Sequence, residues 1–498
     1  MFDKIKRLGA ETAIYGISTI LGRFLSFLLL PLYTNILPKS DYGVVANVYS
    51  YIAFLNVVYG LGMESAFFKY ASTRELGDEK EVFGLSWLTV TIGSVLFSLL
   101  ILWNATPLSY LVARGEQERY IVIYAVGILF FDAVSLIPFA ALRLQKRPWQ
   151  FAGIRVAGII LNVVLNAILL AKFRMGVAGI FVSGIISSLF TALCLFPTIV
   201  RHIALPKNSK LFSALLKFGL PYVPAGLAGI ALQVIDRPIL RALTDDASVG
   251  IYQANYRLGI FIMLIVSMFD YAWRPFFLSN AKEPDAKKMF ARIATYFFLL
   301  LMFGFLVIAF FIGDLVGIEI LHHRLIHPAY WPGLGIVPIV LLAYVFTGVY
   351  VLLIPGIYIE KKTQFLPLTS GLGAVTNIGM NLLLIPLLGF VGAAWSTLGG
   401  YLVMALSLYF IVQRYYPVRY EFRRMGVIAV STGIIFCIFV VVGGTLHAHM
   451  LVKIGLLIGF IGLMALMRFF DPAEIHILKA LFQRKTPPSD IPPSIMSE

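Results

Sequence analysis

The sequence contains, from Lys217 to Lys282, the stretch KFGLPYVPAGLAGIALQVIDRPILRALTDDASVGIYQANYRLGIFIMLIVSMFDYAWRPFFLSNAK. It consists of two apolar segments joined by the polar turn TDDAS at residues 244–248. Each segment is long enough to cross a hydrocarbon core, which needs about 20 helical residues. Charged residues nevertheless lie inside these segments or at their ends: Asp236, Arg237, Arg241, Arg257, Asp270 and Arg274. Because a membrane tolerates charges that face a water-filled cavity or a partner, this hairpin is predicted to line a polar cavity inside a membrane protein.

The composition is that of an integral membrane protein. Hydrophobic residues make up 59% of the 498 residues, charged residues make up 13%, and the mean hydropathy is +0.88. Soluble domains are about 45–50% apolar and about 25% charged. The net charge of +15 lies mostly in short loops, so membrane topology explains it and nucleic acid is not a predicted partner. Cys194 and Cys437 lie in apolar segments, so no disulfide framework is expected.

About fourteen apolar segments are long enough to span a membrane, which predicts an all-α polytopic protein. They cover residues 12–37, 41–65, 83–104, 120–142, 152–171, 176–200, 218–242, 249–275, 290–312, 332–358, 364–386, 391–413, 425–443 and 451–467. Basic residues concentrate in alternate connectors, which predicts that both termini are cytoplasmic and requires an even number of spans. Beyond the last span, residues 468–483 are predicted to form an amphipathic cytoplasmic helix and residues 484–498 a disordered tail.

The chain also repeats itself. SDYGVVANVYSY at 40–51 matches ASVGIYQANYRL at 247–258, which pairs Gly43 with Gly250. The asparagines of RVAGIILNVVLNAILL match those of GLGAVTNIGMNLLLIP, and the glycine pair at 176 and 179 matches the pair at 389 and 392. Residues 1–209 are therefore predicted to form one six-helix lobe and residues 210–417 a second, in parallel pseudo-twofold repeat. Residues 418–467 would add two helices, and the active region is expected between the lobes.

Two stretches carry a family resemblance: LLLPLYTNILPKSDYGVVANVYSYIAFLNVVYGLGMESAFFKYAS near the N-terminus and GLPYVPAGLAGIALQVIDRPILRALTDDASVGIYQANYRLG at the midpoint. They resemble the polysaccharide transporter family (O-antigen flippase-like, polysaccharide biosynthesis proteins) of the multidrug/oligosaccharidyl-lipid/polysaccharide exporter superfamily. The signatures are Leu37-Pro38 with Asp41-Tyr42-Gly43, and Asp236-Arg237 with Val249-Gly250-Ile251-Tyr252. The resemblance covers residues 8–467 and spans both lobes.

The resemblance implies a flippase that moves polyprenyl-pyrophosphate-linked oligosaccharide across the bacterial cytoplasmic (inner) membrane by alternating access. It implies a central cationic cavity between the lobes, contact with membrane lipids, and partners among the polymerases and glycosyltransferases of the same pathway. Two alternatives stay open: a drug/cation antiporter of the same superfamily, and a non-transporting scaffold of a cell-wall complex. The antiporter would favour carboxylates over arginines in its cavity.

Arginine suits the pyrophosphate because its planar fork binds phosphate oxygens bidentately and stays charged. The candidates are Arg23, Arg155, Arg237 and Arg257. Arg257 is predicted either to face the cavity or to pair with Asp236, whereas Arg241 is expected to reach the headgroups. Candidates for hydrogen bonds to sugar hydroxyls are Asn162, Asn166, Asn377, Asn381 and Gln233, and the asparagines suit helix–helix contacts equally well.

Three carboxylates are candidates for coupling transport to a proton or sodium gradient: Asp132, Asp236 and Asp270. A structural ion pair with Arg274, four residues on, is the favoured interpretation of Asp270, whereas Asp132 could instead pair with Arg23 or Arg155. The chain has no P-loop motif, so ATP hydrolysis, an enzyme activity or a cofactor is not predicted. The histidines at 323 and 327 lack a carboxylate or cysteine to complete a metal site, so no metal is predicted.

Overall fold

The computed structural model describes residues 16, 20–204, 210–320, 323–443 and 449–469. The first helices are α1 (Ile20–Ile36), α2 (Lys39–Gly60), α3 (Met63–Thr73), α4 (Glu79–Trp103), α5 (Ala105–Val112), α6 (Arg119–Leu144), α7 (Pro148–Ala167) and α8 (Gly176–His202). The next are α9 (Lys210–Gly219), α10 (Tyr222–Val234), α11 (Asp236–Leu243), α12 (Asp246–Tyr256), α13 (Ile260–Asn280), α14 (Ala286–Gly317), α15 (Val337–Ile359), α16 (Phe365–Leu388) and α17 (Phe390–Tyr415). The last are α18 (Phe422–Val441) and α19 (Met450–Leu466).

The predicted all-α polytopic fold is confirmed. Within the described residues, twelve helical stretches are long and apolar enough to cross a membrane, and the shorter apolar helices α1 and α19 add two. Each of the fourteen predicted segments corresponds to one of these stretches. The connector after α14 contains a short antiparallel β-hairpin whose strands, β1 (Glu319–Ile320) and β2 (His323–Arg324), have two residues each. A 3-10 helix at Pro328–Ile336 follows. The predicted amphipathic helix and tail lie outside the described residues, apart from Arg468 and Phe469.

The seventh predicted span is broken into three helices, α9, α10 and α11. Pro221 lies at the first break, directly before α10, and Pro238 lies in the first turn of α11. A proline has no backbone N–H and its ring clashes with the preceding turn, so it fits at a helix start and disrupts a helix interior. The second break places Asp236 and Arg237 in the first turn of α11, away from lipid, and both side chains are buried.

We call residues 1–209 the first half and residues 210–417 the second half. The two halves meet where α2 and α12 begin, through the paired glycines of the sequence repeat. A Cβ on Gly43 would lie 1.7 Å from the carbonyl oxygen of Asp246, and a Cβ on Gly250 would lie 2.0 Å from that of Lys39. Only glycine permits such backbone contact. The reciprocal arrangement is what a twofold relation between the halves produces, because each glycine contacts the start of the other helix.

The chain divides into two compact units that do not follow the predicted lobe boundaries. Residues 1–290 and 313–418 form one unit, which contains the whole first predicted lobe and all of the second except residues 291–312. Residues 291–312 and 419–498 form the other, which includes most of α14 with α18 and α19. Aromatic contacts stabilise this second unit, with the ring centroids of Phe310 and Phe439 only 4.2 Å apart.

Candidate substrate cavity

A cavity of about 550 Å³ lies between the two halves of the larger unit. Its walls come from α1 and α7 on one side and from α10, α11, α12, α13, α15 and α17 on the other. Four arginines line it: Arg23, Arg155, Arg237 and Arg257. No carboxylate is among the described residues that line it, so the lining carries a formal charge of +4. We call it the arginine cavity.

Arg23 lies on α1 and reaches across to the opposite wall. Its Nη1 donates a hydrogen bond of 2.7 Å to the hydroxyl of Ser267 on α13. Among the described residues, no carboxylate lies within ion-pairing distance of this guanidinium. Arg23 is therefore a cation whose counter-charge the described part of the protein does not supply.

Arg257 occupies a 3-10 turn between α12 and α13, which interrupts the helix and directs the side chain towards α1 and α2. Its guanidinium carbon lies 5.9 Å from the ring centre of Tyr33 and 6.0 Å from that of Tyr42. Its Nη1 is buried and has no hydrogen-bond partner in the described part of the chain. An unpaired buried donor costs about 1–3 kcal/mol, more when it is charged, so a ligand oxygen at this position would relieve that cost.

Arg237 is buried and fixed by its neighbours. Its Nη1 lies 2.6 Å from Oδ1 of Asp236, and its Nε donates to the side chain of Gln253 at 3.0 Å. The guanidinium also lies over the ring of Tyr256 at 4.1 Å, while Asp236 accepts a second hydrogen bond from the hydroxyl of Tyr252. Asp236 thus pairs with Arg237, its sequence neighbour, and not with Arg257.

A second cavity of about 670 Å³ lies within the first half, bounded by α1, α2, α3, α6, α7 and α8. Arg155 lines both cavities, together with Ser26 and Ile159. Asp132 lies on its wall and accepts a hydrogen bond of 2.7 Å from Ser188. Arg155 has no ion pair among the described residues, so it presents a third guanidinium to ligands at the junction of the two cavities.

The predicted sugar ligands are in different places. Gln233 lines the arginine cavity and Asn162 lines the second cavity. Asn166 is buried and accepts a hydrogen bond of 2.9 Å from the hydroxyl of Tyr33. Asn377 and Asn381 are fully buried, bonded to each other at 2.8 Å, and line neither cavity.

Asp270 and Arg274 form the ion pair expected from their spacing, with 2.9 Å between Oδ2 and Nη2. Neither residue lines either cavity, and half of the Arg274 side chain is exposed. Sequence reasoning overlooked the aromatic wall of the arginine cavity, formed by Tyr256, Tyr344 and Tyr401. These tyrosines come from three helices, and no local pattern distinguishes them from the many other tyrosines of the chain.

Beside the glycine contact, a charged cluster joins the two halves. Arg114 pairs with Asp41 at 2.8 Å and with Asp246 at 3.2 Å, and Asp246 pairs in turn with Arg241 at 2.6 Å. Arg241 also donates to the carbonyls of Leu111 (2.5 Å) and Ala113, so it does not extend towards headgroups as expected. We call this cluster the latch. Burial opposes the charged form of Arg114, but hydrogen bonds with the two aspartates raise the pKa of its guanidinium above the ordinary value.

Comparison with known proteins gives the family. Residues 8–281, more than half of the chain, match the model of the family described as polysaccharide biosynthesis protein. The chain belongs to that polysaccharide biosynthesis protein family. The matched region includes every latch residue and all four arginines of the cavity. A comparison with curated protein sequences found no match.

Several solved structures have a fold similar to that of this protein. The lipid II flippase MurJ in an inward closed conformation superposes with a TM-score of 0.72 at 15% identity, covering 95% of this chain and 99% of that one. An inward-facing multidrug resistance MATE transporter gives 0.64 at 16% identity, covering 79% and 94%. A transporter of the same superfamily from Pyrococcus furiosus, whose title reports a binding pocket of reverse polarity, gives 0.54 at 15% identity, covering 82% and 94%. This protein therefore has the membrane-transporter fold that these structures share.

Proposed function

We propose that this protein is a flippase that moves polyprenyl-pyrophosphate-linked oligosaccharide across the bacterial cytoplasmic membrane by alternating access, without a chemical step. The arginine cavity carries the proposal: four guanidinium groups line it, and no described carboxylate shares that lining. The family assignment and the similarity of fold to a lipid II flippase support the same reading.

The pyrophosphate would bind where positive charge is least compensated. Arg23 lacks a carboxylate partner among the described residues, and Arg257 holds a buried donor without a described acceptor. Arg237 differs because Asp236 already neutralises it, so its role would be to position Gln253 and the tyrosine wall. We therefore expect Arg23 and Arg257 to contribute more to anion binding than Arg237.

The lipid tail can stay in the membrane while only the polar head enters the cavity. Ligand pockets occupy about 300–1,000 Å³, so a cavity of about 550 Å³ accommodates a pyrophosphate and the first sugar. The tyrosines at 256, 344 and 401 offer hydroxyl groups and ring faces to that sugar. A drug/cation antiporter is disfavoured, because a cationic drug in this cavity would meet the guanidinium groups of Arg23, Arg155 and Arg257, which have no ion-pair partner among the described residues.

Coupling to an ion gradient, if transport is active, would involve Asp132. Of the three candidate carboxylates, it is the one that lines a cavity; Asp236 is buried against Arg237, and Asp270 is paired with Arg274 off the cavities. The basic connectors would face the cytoplasm, which places both termini inside and the latch on the outer side.

The test is a flipping assay in sealed proteoliposomes with a fluorescent polyprenyl-pyrophosphate-linked sugar and an impermeant probe of the outer leaflet. We expect Arg23→Ala and Arg257→Ala each to lower the rate at least tenfold, because each removes charge-assisted phosphate bonds. Arg274→Ala is the matched control, since that arginine lines neither cavity. Equal rates in all variants at matched protein levels would contradict the proposal, and drug-cation exchange without lipid flipping would favour the antiporter.

A further inference from the structure

The second cavity differs from the arginine cavity in charge. Its lining contains two acidic residues, Glu64 and Asp132, and two basic residues, Arg143 and Arg155. Its formal charge is therefore zero, whereas that of the arginine cavity is +4. Glu64 and Arg143 pair with each other. An anion entering this cavity would meet the carboxylate of Asp132 as well as the guanidinium of Arg155, so the lining offers it no net positive charge. The two adjoining cavities therefore differ in the ligand charge that they favour.

The wall of the second cavity is rich in hydroxyl groups. Six hydroxyl-bearing residues line it: Ser26, Tyr49, Ser135, Ser187, Ser188 and Thr191. Those at 135, 187 and 191 each donate their proton to a carbonyl of their own helix, at 2.6–2.9 Å. Their oxygens keep lone pairs that accept hydrogen bonds, as does the carboxylate of Asp132. A wall of acceptors suits a ligand with many donors, as in a sugar with several hydroxyl groups.

Apolar side chains complete the lining. Phe139 and Phe151 form one aromatic pair, with ring centroids 5.2 Å apart, and Leu136 and Ile128 lie on the same wall. Such surfaces suit the C–H faces of pyranose rings, which are apolar while their edges carry hydroxyl groups. At about 670 Å³ the cavity is larger than the arginine cavity and falls within the range of ligand sites.

We infer that the second cavity is the glycan subsite and that it takes an uncharged, hydroxyl-rich saccharide. The inference rests on the proposed function: the pyrophosphate binds in the arginine cavity, and the sugar chain continues past the shared wall of Ser26, Arg155 and Ile159. Arg155, at the junction, contacts the sugar chain where it passes from the arginine cavity into the second cavity. Saccharides with uronic acids bind less well, because their carboxylates meet Asp132.

Binding is measured on purified protein in nanodiscs with two probes, polyprenyl pyrophosphate alone and the same lipid carrying one to three neutral sugars. The test variant is Ser187→Ala with Thr191→Val, which removes two cavity hydroxyls. The matched control is Thr376→Val with Ser407→Ala, which removes two hydroxyls that are likewise bonded to their own helix but line neither cavity. We expect wild type to bind the sugar-bearing probe more tightly than the bare lipid.

We expect the cavity variant to lose about tenfold in affinity for the sugar-bearing probe and to bind the bare lipid unchanged, since each lost hydrogen bond to a hydroxyl costs a few-fold. Unchanged bare-lipid binding also verifies that the variant is folded. If sugars add no affinity in wild type, or if the cavity variant keeps the full sugar increment, the glycan subsite is wrong while the flippase stands. If wild type binds neither probe, the proposed function fails and this inference fails with it.

Discussion

Replacing Arg241 by alanine should open the side of the molecule that the latch closes. Arg241 belongs to the second half and donates to the carbonyls of Leu111 and Ala113 in the first. It also pairs with Asp246, which Arg114 holds from the other side. The substitution removes two of the latch bonds between the halves, and it leaves Asp246 paired with Arg114 alone. Any state in which the halves separate at the latch loses the same contacts, so the variant destabilises the closed state selectively.

The size of the effect follows from burial. The side chains of Arg241 and Asp246 are 17% and 16% exposed, so solvent screens them less than an open surface pair. A hydrogen bond to a charged group contributes about 1.5–3 kcal/mol, and an exposed ion pair about 0–1 kcal/mol. The freed carbonyls regain water on opening, so we take about 2–3 kcal/mol for the set. At about 1.4 kcal/mol per tenfold, the ratio of closed to open molecules falls about 30- to 150-fold.

The assay follows labelling from outside the cell. A single cysteine replaces Gln233, which lines the arginine cavity, in a chain whose Cys194 and Cys437 are changed to serine. An impermeant maleimide then reaches the cavity from that side in proportion to the open fraction. We expect Arg241→Ala to raise the initial labelling rate at least tenfold.

Arg324→Ala is the matched control for the latch. Arg324 is also on the predicted outer side and also pairs with a carboxylate, but its partner Glu319 lies in the same hairpin, so no bond between the halves is lost. It should label at the wild-type rate. Equal labelling of Arg241→Ala and wild type would refute the latch, and faster labelling of both variants would show that any outer arginine has this effect.

Three further predictions concern other parts of the molecule. Gly43→Ala should lower thermal stability in detergent by about 1–3 kcal/mol, because its Cβ would overlap the carbonyl of Asp246, whereas Gly153→Ala, which meets nothing within 4 Å, should not. Arg257→Lys should lower the flipping rate about tenfold although the charge is kept, because lysine cannot bind phosphate bidentately; a rate equal to wild type would mean that charge alone suffices. Asp132→Asn should reduce gradient-driven flipping to the rate without a gradient, and an undiminished response to the imposed gradient would remove Asp132 from coupling.

The number and order of the apolar segments could be predicted from the sequence because a membrane imposes a length and a polarity on each span. The breaks of the seventh span could be anticipated too, since Pro221 and Pro238 mark them. The pairing of Asp236 could not. The sequence offers both Arg237 and Arg257 as ion-pair partners for Asp236. Which of them pairs with it depends on the break before α11, which turns Asp236 towards Arg237.

The cavity arginines could be identified in the sequence because a charged residue within an apolar segment stands out whichever face of the helix it lies on. The tyrosine wall and the hydroxyl wall were not, because tyrosine, serine and threonine occur throughout membrane helices in lipid-facing and buried positions alike. Which side of a helix faces a cavity depends on its rotation, which tertiary packing sets. Asn162 lines a cavity and its repeat partner Asn377 is buried between helices, although the sequence context of the two is the same.

The reason for that difference can be read from the repeat itself. Aligning Gly176 with Gly389 also aligns Ser187 with Gly400. Aligning Asn162 with Asn377 also aligns Gly158 with Gly373. A Cβ on Gly373 would lie 2.8 Å from the carbonyl oxygen of Gly400, whereas a Cβ on Gly158 would lie 4.0 Å from that of Ser187.

The glycine at position 400 lets α16 and α17 touch along their backbones, as small residues do in membrane helix pairs. In the first half, a Cβ on Gly158 would first meet the hydroxyl oxygen of Thr191, at 2.6 Å, so a side chain and not the backbone is the nearest neighbour of α7 at that position. The same register aligns Ser188 with Tyr401 and Thr191 with Met404, so larger side chains occupy the second half where hydroxyls line the first. The two halves therefore differ in side-chain size at aligned positions: hydroxyl-bearing residues line the second cavity in the first half, and in the second half Tyr401 belongs to the tyrosine wall of the arginine cavity.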